Sequence, residues 1–282
     1  MTEPARSRND DTASSPWERN CAQWQHLGYP LRPGPADVAF VQNEVDRIAQ
    51  ARDRVNALLL GVTVELTSLA WPANSSLVAI DSSRAMIARS WRAPPGIESS
   101  AMEAFWDQLP LSQKSIDLAL GDGSLSALPN ANAVTSVLHQ LATVLDHGGY
   151  LVTRVVVRPQ IAETPGHVID AMRTGTMGSF QVFKFRLLMA LHGAGIDGVM
   201  LSAVYDAVCN ANPDRAALAR ALGWPLDASN TIDAYRDSSW RYFFPRVSQF
   251  RELTAVEFLE VDCHEPTYEL GRQCPTFVLR RR

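Results

Sequence analysis

Three short apolar segments of the chain end in small or acidic residues that are suited to binding a nucleoside. These segments are ALLLG (57–61), SLVAID (76–81) and SIDLALG (115–121). A carboxylate about twenty residues after the first glycine can accept hydrogen bonds from both hydroxyls of a ribose. Asp81 stands at that spacing from Gly61, so it is the best single candidate for a nucleoside contact.

For these side chains to meet, the three segments must be buried parallel strands whose carboxyl ends share one edge. Their uninterrupted apolar runs are typical of strands covered on both faces. Further strand-like runs occupy 150–157, 257–261 and 276–279, and helical patterns at 63–69 and 131–145 separate the early ones. The alternation predicts an α/β fold with a Rossmann-like, doubly wound sheet, whose ligands bind beyond the carboxyl ends of the strands.

The sequence divides into four regions around this sheet. Residues 1–15 lack apolar periodicity and predict a disordered tail. Residues 16–55 predict helices that contribute to a cover over the active site. The core comprises 56–158 and 251–282, and residues 159–250 predict a helical insertion, or lid, over the substrate site.

Composition favours a small-molecule ligand. The 282 residues carry a net charge of −4, which gives no electrostatic reason to bind nucleic acid or a membrane. Four scattered cysteines predict neither a disulfide framework nor a metal site. With no signal or membrane-spanning pattern, we expect a cytoplasmic monomer or homodimer.

Longer motifs point to a family. The region 57–157 resembles class I S-adenosylmethionine-dependent methyltransferases in four motifs, which are LLLGVTVEL, VAIDSSRAMI, SIDLALGDGSL and VLDHGGYLVTR. Three further segments resemble an uncharacterised small-molecule branch of that family, namely WERNCAQWQHLGYPLRP, SFQVFKFR and YELGRQCP. The resemblance implies a seven-stranded sheet with its last strand antiparallel, and S-adenosylmethionine as the cofactor across the first half of the sheet.

The resemblance also implies which residues bind the cofactor. These are Gly61, Val62 and Thr63 toward the methionine part, Asp81 at the ribose hydroxyls, Met86, Phe105 and Trp106 around the adenine, and Gly121, Asp122 and Gly123 near the sulfonium and amino end. Ser82, next to Asp81, is a further candidate for binding the cofactor. The chain departs from the family in two places. Only the first glycine of the usual GxGxG loop is present, and a phenylalanine replaces the acid that commonly precedes the position of Trp106.

Candidates for binding the methyl acceptor lie outside the sheet. Lys184 and Arg186 interrupt an aromatic helix, where they either pair with carboxylates of the core or bind an acidic substrate. Arg32, fixed between two prolines, either binds a carboxylate or anchors its loop. Tyr235 and Tyr242 either form an aromatic substrate wall or serve only in packing.

The sequence thus favours an S-adenosylmethionine-dependent methyltransferase that methylates a small molecule by in-line displacement. Such a reaction chiefly requires orientation and exclusion of water, so no catalytic residue is assigned. The alternative is an inactive or repurposed methyltransferase-like protein, a regulator, scaffold or cyclase, that binds the cofactor structurally. A nicotinamide oxidoreductase is disfavoured because the first loop lacks G-x-G-x-x-G.

Overall fold

A computed structural model describes residues 16–193, 195 and 197–282 of the chain. The tail predicted for 1–15 lies outside the described residues. A central sheet contains seven strands, namely β1 Asn56–Leu60, β2 Ser76–Asp81, β3 Glu98–Glu103, β4 Ile116–Asp122, β5 Leu145–Arg154, β8 Phe258–His264 and β9 Thr276–Arg281. A separate ladder pairs β6 Val199–Met200 with β7 Arg241–Tyr242.

The sheet has the order β3-β2-β1-β4-β5-β9-β8. Neighbouring strands from β3 to β5 are parallel, whereas β9 is antiparallel to both β5 and β8. The predicted Rossmann-like sheet of seven strands with an antiparallel last strand is therefore confirmed. Because the strand order reverses between β1 and β4, a crevice for ligands is expected beyond their carboxyl ends.

Eleven α-helices surround the strands within the part of the chain that the structure describes. They are α1 Pro16–Ala22, α2 Pro35–Ala49, α3 Val64–Thr67, α4 Arg84–Ser90, α5 Ala131–Val144, α6 Pro165–Arg173, α7 Phe180–His192, α8 Leu201–Ala211, α9 Arg215–Leu222, α10 Leu226–Asn230 and α11 Val247–Thr254. Among the described residues, no helix combines the length and the apolar character that crossing a bilayer requires.

Helices cover both faces of the sheet, which explains its unbroken apolar strands. Leu58 and Leu60 of β1 pack into the same cluster as the apolar side of α5. Ala57 and Leu59 point the other way, into the cluster that contains the apolar side of α2. Since successive side chains of a strand alternate between faces, each strand of this kind buries both sets.

The region between β5 and α11 forms a second apolar core of its own. It contains α6 to α10, and its buried residues include Phe180, Phe183 and Leu188 of α7 together with Trp224 and Tyr235. Ser179 caps α7 by accepting a hydrogen bond from the backbone N–H of Val182. Helices α6 to α10 thus account for most of the regular structure that is described between residues 159 and 250.

Local predictions were wrong at several boundaries. The sequence Asn212-Pro213-Asp214 predicts a helix with Asn212 as its cap and Pro213 in its first turn. In the structure Asp214 caps α9, because its carboxylate accepts the N–H of Ala217 at 2.8 Å and Pro213 remains outside the helix. The helix predicted for 63–69 is the short α3, and the strand predicted for 150–157 ends at Arg154. The edge strand β3, with sequence ESSAME, has mostly exposed side chains and therefore no apolar run to reveal it.

Gly198 lies where the insertion contacts the core, and its surroundings leave no space for a side chain. Its N–H donates to the carbonyl oxygen of Pro129 at 2.8 Å, and a Cβ atom would overlap the carbonyl of Tyr242 and lie 2.7 Å from that of Pro129. We predict that Gly198→Ala lowers the free energy of unfolding by about 1–3 kcal/mol in urea denaturation.

Gly166→Ala is the matched control for this prediction. Gly166 lies in the first turn of α6, and a Cβ atom there would have no heavy atom within 4 Å. The control is expected to be neutral or slightly stabilising, since alanine has the higher helix propensity. Equal unfolding midpoints for the two variants would contradict the packing argument.

Candidate functional site

The strand register brings the three predicted strand ends to one edge. Leu60 of β1 pairs with Ile80 of β2 on one side and with Gly121 of β4 on the other. The residues that follow, Gly61, Asp81 and Asp122, consequently lie side by side where the strand order reverses.

Gly61, Asp81 and Trp106 lie close together at this edge. Gly61 has φ of +91°, and a Cβ atom on it would lie 3.7 Å from the Oδ2 atom of Asp81 and 3.9 Å from Cζ2 of Trp106. The indole N–H of Trp106 donates to the carbonyl oxygen of Ile80 at 2.7 Å, which fixes the ring beside the strand end. A bare backbone, a carboxylate and an aromatic ring therefore converge at the ends of β1 and β2.

Only one of the two carboxylate oxygens of Asp81 accepts a hydrogen bond from a described residue. Oδ1 accepts the backbone N–H of Ser83 at 2.8 Å, whereas Oδ2 has no hydrogen-bond partner among the described residues. Burial raises the pKa of Asp81 to about 6, and the bond from Ser83 offsets part of this increase. A partly buried carboxylate with no cation beside it is a natural acceptor for hydroxyl donors.

The other end of the edge is held by an ion pair between Asp122 and Arg154. The Nε atom of Arg154 lies 2.5 Å from Oδ1 of Asp122, and the side chains are 4% and 6% exposed, respectively. Arg154 Nη1 also donates to the carbonyl oxygen of Pro30 at 2.8 Å. The pair therefore connects the ends of β4 and β5 to the loop that precedes α2.

Arg32 in that same loop contacts the segment after β1. Its Nε atom lies 2.7 Å from Oε1 of Glu65, and its guanidinium stacks over the ring of Trp24 at 4.9 Å from the centroid. Of the two roles considered from sequence, the contacts of Arg32 are those of a loop anchor.

The remaining predicted cofactor residues occupy different environments. Val62 and Met86 are buried in the apolar cluster below the edge, and Ser82 is exposed. Thr63, Phe105 and Gly123 are half-buried at the rim. The N–H of Gly123 donates to the carbonyl oxygen of Arg154 at 2.9 Å, so the Asp122–Arg154 pair is reinforced through the backbone.

Helix α1 connects this edge to the helical insertion. Cys21 contacts Met86 and lies 3.7 Å from the hydroxyl of Ser90, both on α4. On the insertion side, Trp17 stacks on Tyr242 with ring centroids 6.2 Å apart. The end of β2 and the aromatic part of the insertion are thus neighbours of one short helix.

The aromatic cluster beside α1 encloses an amine. Lys184 is fully buried, its Nζ atom lies 5.2 Å from the ring centroid of Tyr235, and it has no hydrogen-bond or ionic partner among the described residues. Tyr235 meets Tyr242 edge-on with centroids 6.1 Å apart. Burial lowers the pKa of Lys184 to about 7.

The two cations of α7 have different surroundings in the structure, although the sequence gives the same two alternatives for both. Arg186 pairs with both carboxylate oxygens of Glu163, whereas Lys184 has no carboxylate partner in the described part of the chain. The two residues point to opposite sides of α7, because two positions correspond to about 200° of rotation. Arg186 is therefore paired with a carboxylate of the protein, whereas binding of an acidic substrate remains the hypothesis for Lys184.

Sequence reasoning missed Arg154, Tyr268 and Glu65 as parts of the site. Tyr268 places its hydroxyl 3.4 Å from Nη1 of Arg154, from 114 residues further along the chain. A charged residue that ends a buried strand was the available signal for Arg154, since a buried guanidinium requires an anion. The described residues contain no cluster of three or more metal-ligating side chains.

Comparison with known proteins identifies the fold. No protein-family model matches the chain, and no curated protein matches it. Among solved structures, a candidate Zn-dependent alcohol dehydrogenase from Rhodobacter sphaeroides matches 96% of this chain and 100% of its own, with 10% identity and a TM-score of 0.54.

Two solved methyltransferases are similar at a lower TM-score of 0.48. The N-methyltransferase NodS of Bradyrhizobium japonicum, in complex with S-adenosyl-L-homocysteine, is 13% identical over 94% of this chain and 98% of its own. An S-adenosylmethionine-dependent methyltransferase from Methanosarcina mazei is 12% identical over 89% and 99%. The strand order, with β9 reversed, confirms the fold of class I methyltransferases. The small-molecule branch stays a prediction.

Lys184 should weaken the fold that contains it. We predict that Lys184→Met raises the free energy of unfolding by about 1–4 kcal/mol at pH 6, because it removes a buried charge without a partner. Between pH 7 and about 9 the unfolded wild type binds more protons at this lysine than the folded wild type does. The free energy of unfolding of the wild type therefore increases relative to that of the variant as the pH rises. Urea denaturation at several pH values measures both effects.

Lys114→Met provides the control, since Lys114 is exposed. Its stability difference from the wild type should be small. A Lys184→Met variant that is less stable than the wild type at pH 6 would mean that the amine has a partner in the folded state.

Proposed function

We propose that this protein is an S-adenosylmethionine-dependent methyltransferase that acts on a small molecule bearing an acidic group. The observation that carries the proposal is the convergence of Gly61, Trp106 and the unpaired Oδ2 atom of Asp81 at the ends of β1 and β2. Because Gly61 has no side chain, a ligand can approach the backbone there, and the carboxylate can accept ribose hydroxyls.

The residues around this edge fit the chemistry of the cofactor. Asp81 would hold the ribose, and the ring of Trp106 offers an apolar face to the adenine. The Asp122–Arg154 pair would keep the backbone of Gly121 and Gly123 in place at the amino end. When bound, the cofactor supplies a methyl group already activated on a positively charged sulfur, so the chain's own task is to orient the acceptor and exclude water.

The acceptor would lie between α1 and the insertion. Lys184, Tyr235 and Tyr242 are 0%, 0% and 3% exposed, and this enclosure favours a small acceptor over a macromolecule. A buried amine without an anion favours an acceptor with a carboxylate or similar group, which would pair with Lys184 and restore its charge. The two tyrosine rings would then form the walls of the acceptor pocket, which is one of the two roles considered from sequence.

Cofactor binding can be tested by calorimetry with S-adenosylhomocysteine. We expect micromolar affinity in the wild type and a loss of about 1–3 kcal/mol in Asp81→Ala, because a charged hydrogen-bond acceptor is removed. Glu103→Ala is the matched control, since Glu103 is the register partner of Asp81 on β3 and is exposed. Binding of NADH alone, or equal affinity in both variants, would contradict the assignment.

Methyl transfer needs a separate test. The protein is incubated with S-adenosylmethionine and a panel of aromatic and aliphatic carboxylic acids, and mass spectrometry detects methylated products. For any acid that is methylated, we expect Lys184→Met to reduce kcat/KM at least about tenfold, the loss expected for a charged contact, whereas Lys114→Met leaves it unchanged. Tight cofactor binding without turnover of any acceptor would favour a methyltransferase-like protein that is not an enzyme.

A further inference from the structure

A cavity of about 260 Å³ lies outside the site described above. Its wall is formed by the segment that follows β5, by one side of α7 and by the residues before α11 and β9. Arg186 is the one predicted acceptor candidate in its wall, and the guanidinium of Arg186 is already paired with Glu163. The cavity is on the side of α7 that carries Arg186, which is opposite to Lys184.

The charges in this cavity are unbalanced. Three guanidinium groups, from Arg158, Arg186 and Arg246, face a single carboxylate, that of Glu163. Glu163 is engaged by Arg186 in a two-oxygen pair. Two guanidinium groups therefore remain without a carboxylate among the described residues of the wall.

Arg158 is the more deeply buried of the two. It is 7% exposed, and its guanidinium donates to the carbonyl oxygen of Phe244 at 2.6 Å and to Oε1 of Gln249 at 3.2 Å. Neither acceptor carries a charge, so these bonds orient the guanidinium without neutralising it. Burying a cation in this way is costly unless an anion accompanies it.

Arg246 lies directly beside Arg158. The two residues form a parallel backbone bridge, and the N–H of Arg158 donates to the carbonyl oxygen of Pro245 at 2.9 Å. The side chain of Arg246 is half-buried and has no ion pair with any described residue. Burial and the neighbouring charge of Arg246 both lower the pKa of Arg158, as expected for two cations held together.

We propose that this cavity is a second ligand site, which binds a small molecule through a carboxylate or phosphate group held by Arg158 and Arg246. Adjacent guanidinium groups present several N–H donors to one anion, which is the arrangement that recognises oxyanions. Met189, Ala190 and Leu270 supply an apolar wall for the remainder of the ligand. The volume suits a metabolite rather than a larger cofactor.

The proposal does not depend on methyl transfer, and calorimetry with two probe anions tests it. Inorganic phosphate and benzoate are titrated separately at constant ionic strength into the wild type, Arg246→Gln and Arg220→Gln. Arg220 is an exposed arginine of α9 and serves as the matched control. We expect saturable binding of at least one probe, weakened about tenfold or more in Arg246→Gln and unchanged in Arg220→Gln.

The outcomes separate the ligand classes and the two sites. Binding of phosphate alone identifies a phosphate-bearing ligand, and binding of benzoate alone identifies a carboxylate with an apolar part. Affinity for S-adenosylhomocysteine should be the same in Arg246→Gln and in the wild type. The proposal is overturned if neither probe shows saturable binding, or if both variants have the same affinity for the anion. It is also overturned if Arg246→Gln reduces the affinity for S-adenosylhomocysteine to the same extent as the affinity for the anion.

Discussion

The buried pair of Arg154 and Asp122 holds together the parts of the chain on which the candidate site depends. One guanidinium contacts the end of β4, the loop at Pro30 and Leu31, and the hydroxyl of Tyr268 near the other end of the chain. Removing either partner would leave an uncompensated charge in a buried position, which typically costs about 3–5 kcal/mol. The loop before α2 and the sheet edge are therefore coupled through this guanidinium, in addition to the contact of Arg32 with Glu65.

Helix α7 has a comparable organising role in the insertion. One side carries Lys184 toward the aromatic cluster and α1, and the other carries Arg186 toward the arginine-lined cavity. Its apolar residues, such as Phe183 and Leu188, are buried in the core of the insertion. A helix in this setting contributes most to stability when its buried positions are apolar or paired. Lys184 on one side, and Arg158 and Arg246 beside the other, have no carboxylate partner among the described residues. Ligands at both places would therefore relieve a cost that packing alone leaves in the fold.

The predictions from sequence were most successful where buried strands determine the structure. Asp81 and Gly61 could be placed at neighbouring strand ends because uninterrupted apolar runs mark their strands and the register of a parallel sheet aligns the ends. The partner of Asp122 could not be found in this way, since Arg154 lies 32 residues further on and the pairing requires the register of β4 with β5. The same limit applies to Lys184, whose surroundings come from distant segments, and to the exposed strand β3.

The shortened glycine loop is compatible with a ligand at the sheet edge for reasons of local conformation. Glycine is required where φ is positive or where a Cβ atom would obstruct a close approach. After β1 this condition holds at Gly61, with φ of +91°, whereas Thr63 and Glu65, at the positions of the second and third glycines, do not have positive φ. The side chain of Val62 is buried in the apolar cluster on the α2 side of the sheet. The family's second and third glycines are thus replaced at positions where this backbone accepts ordinary residues. Whether a ligand binds at this edge therefore depends on the carboxylate of Asp81 and on the space next to Gly61.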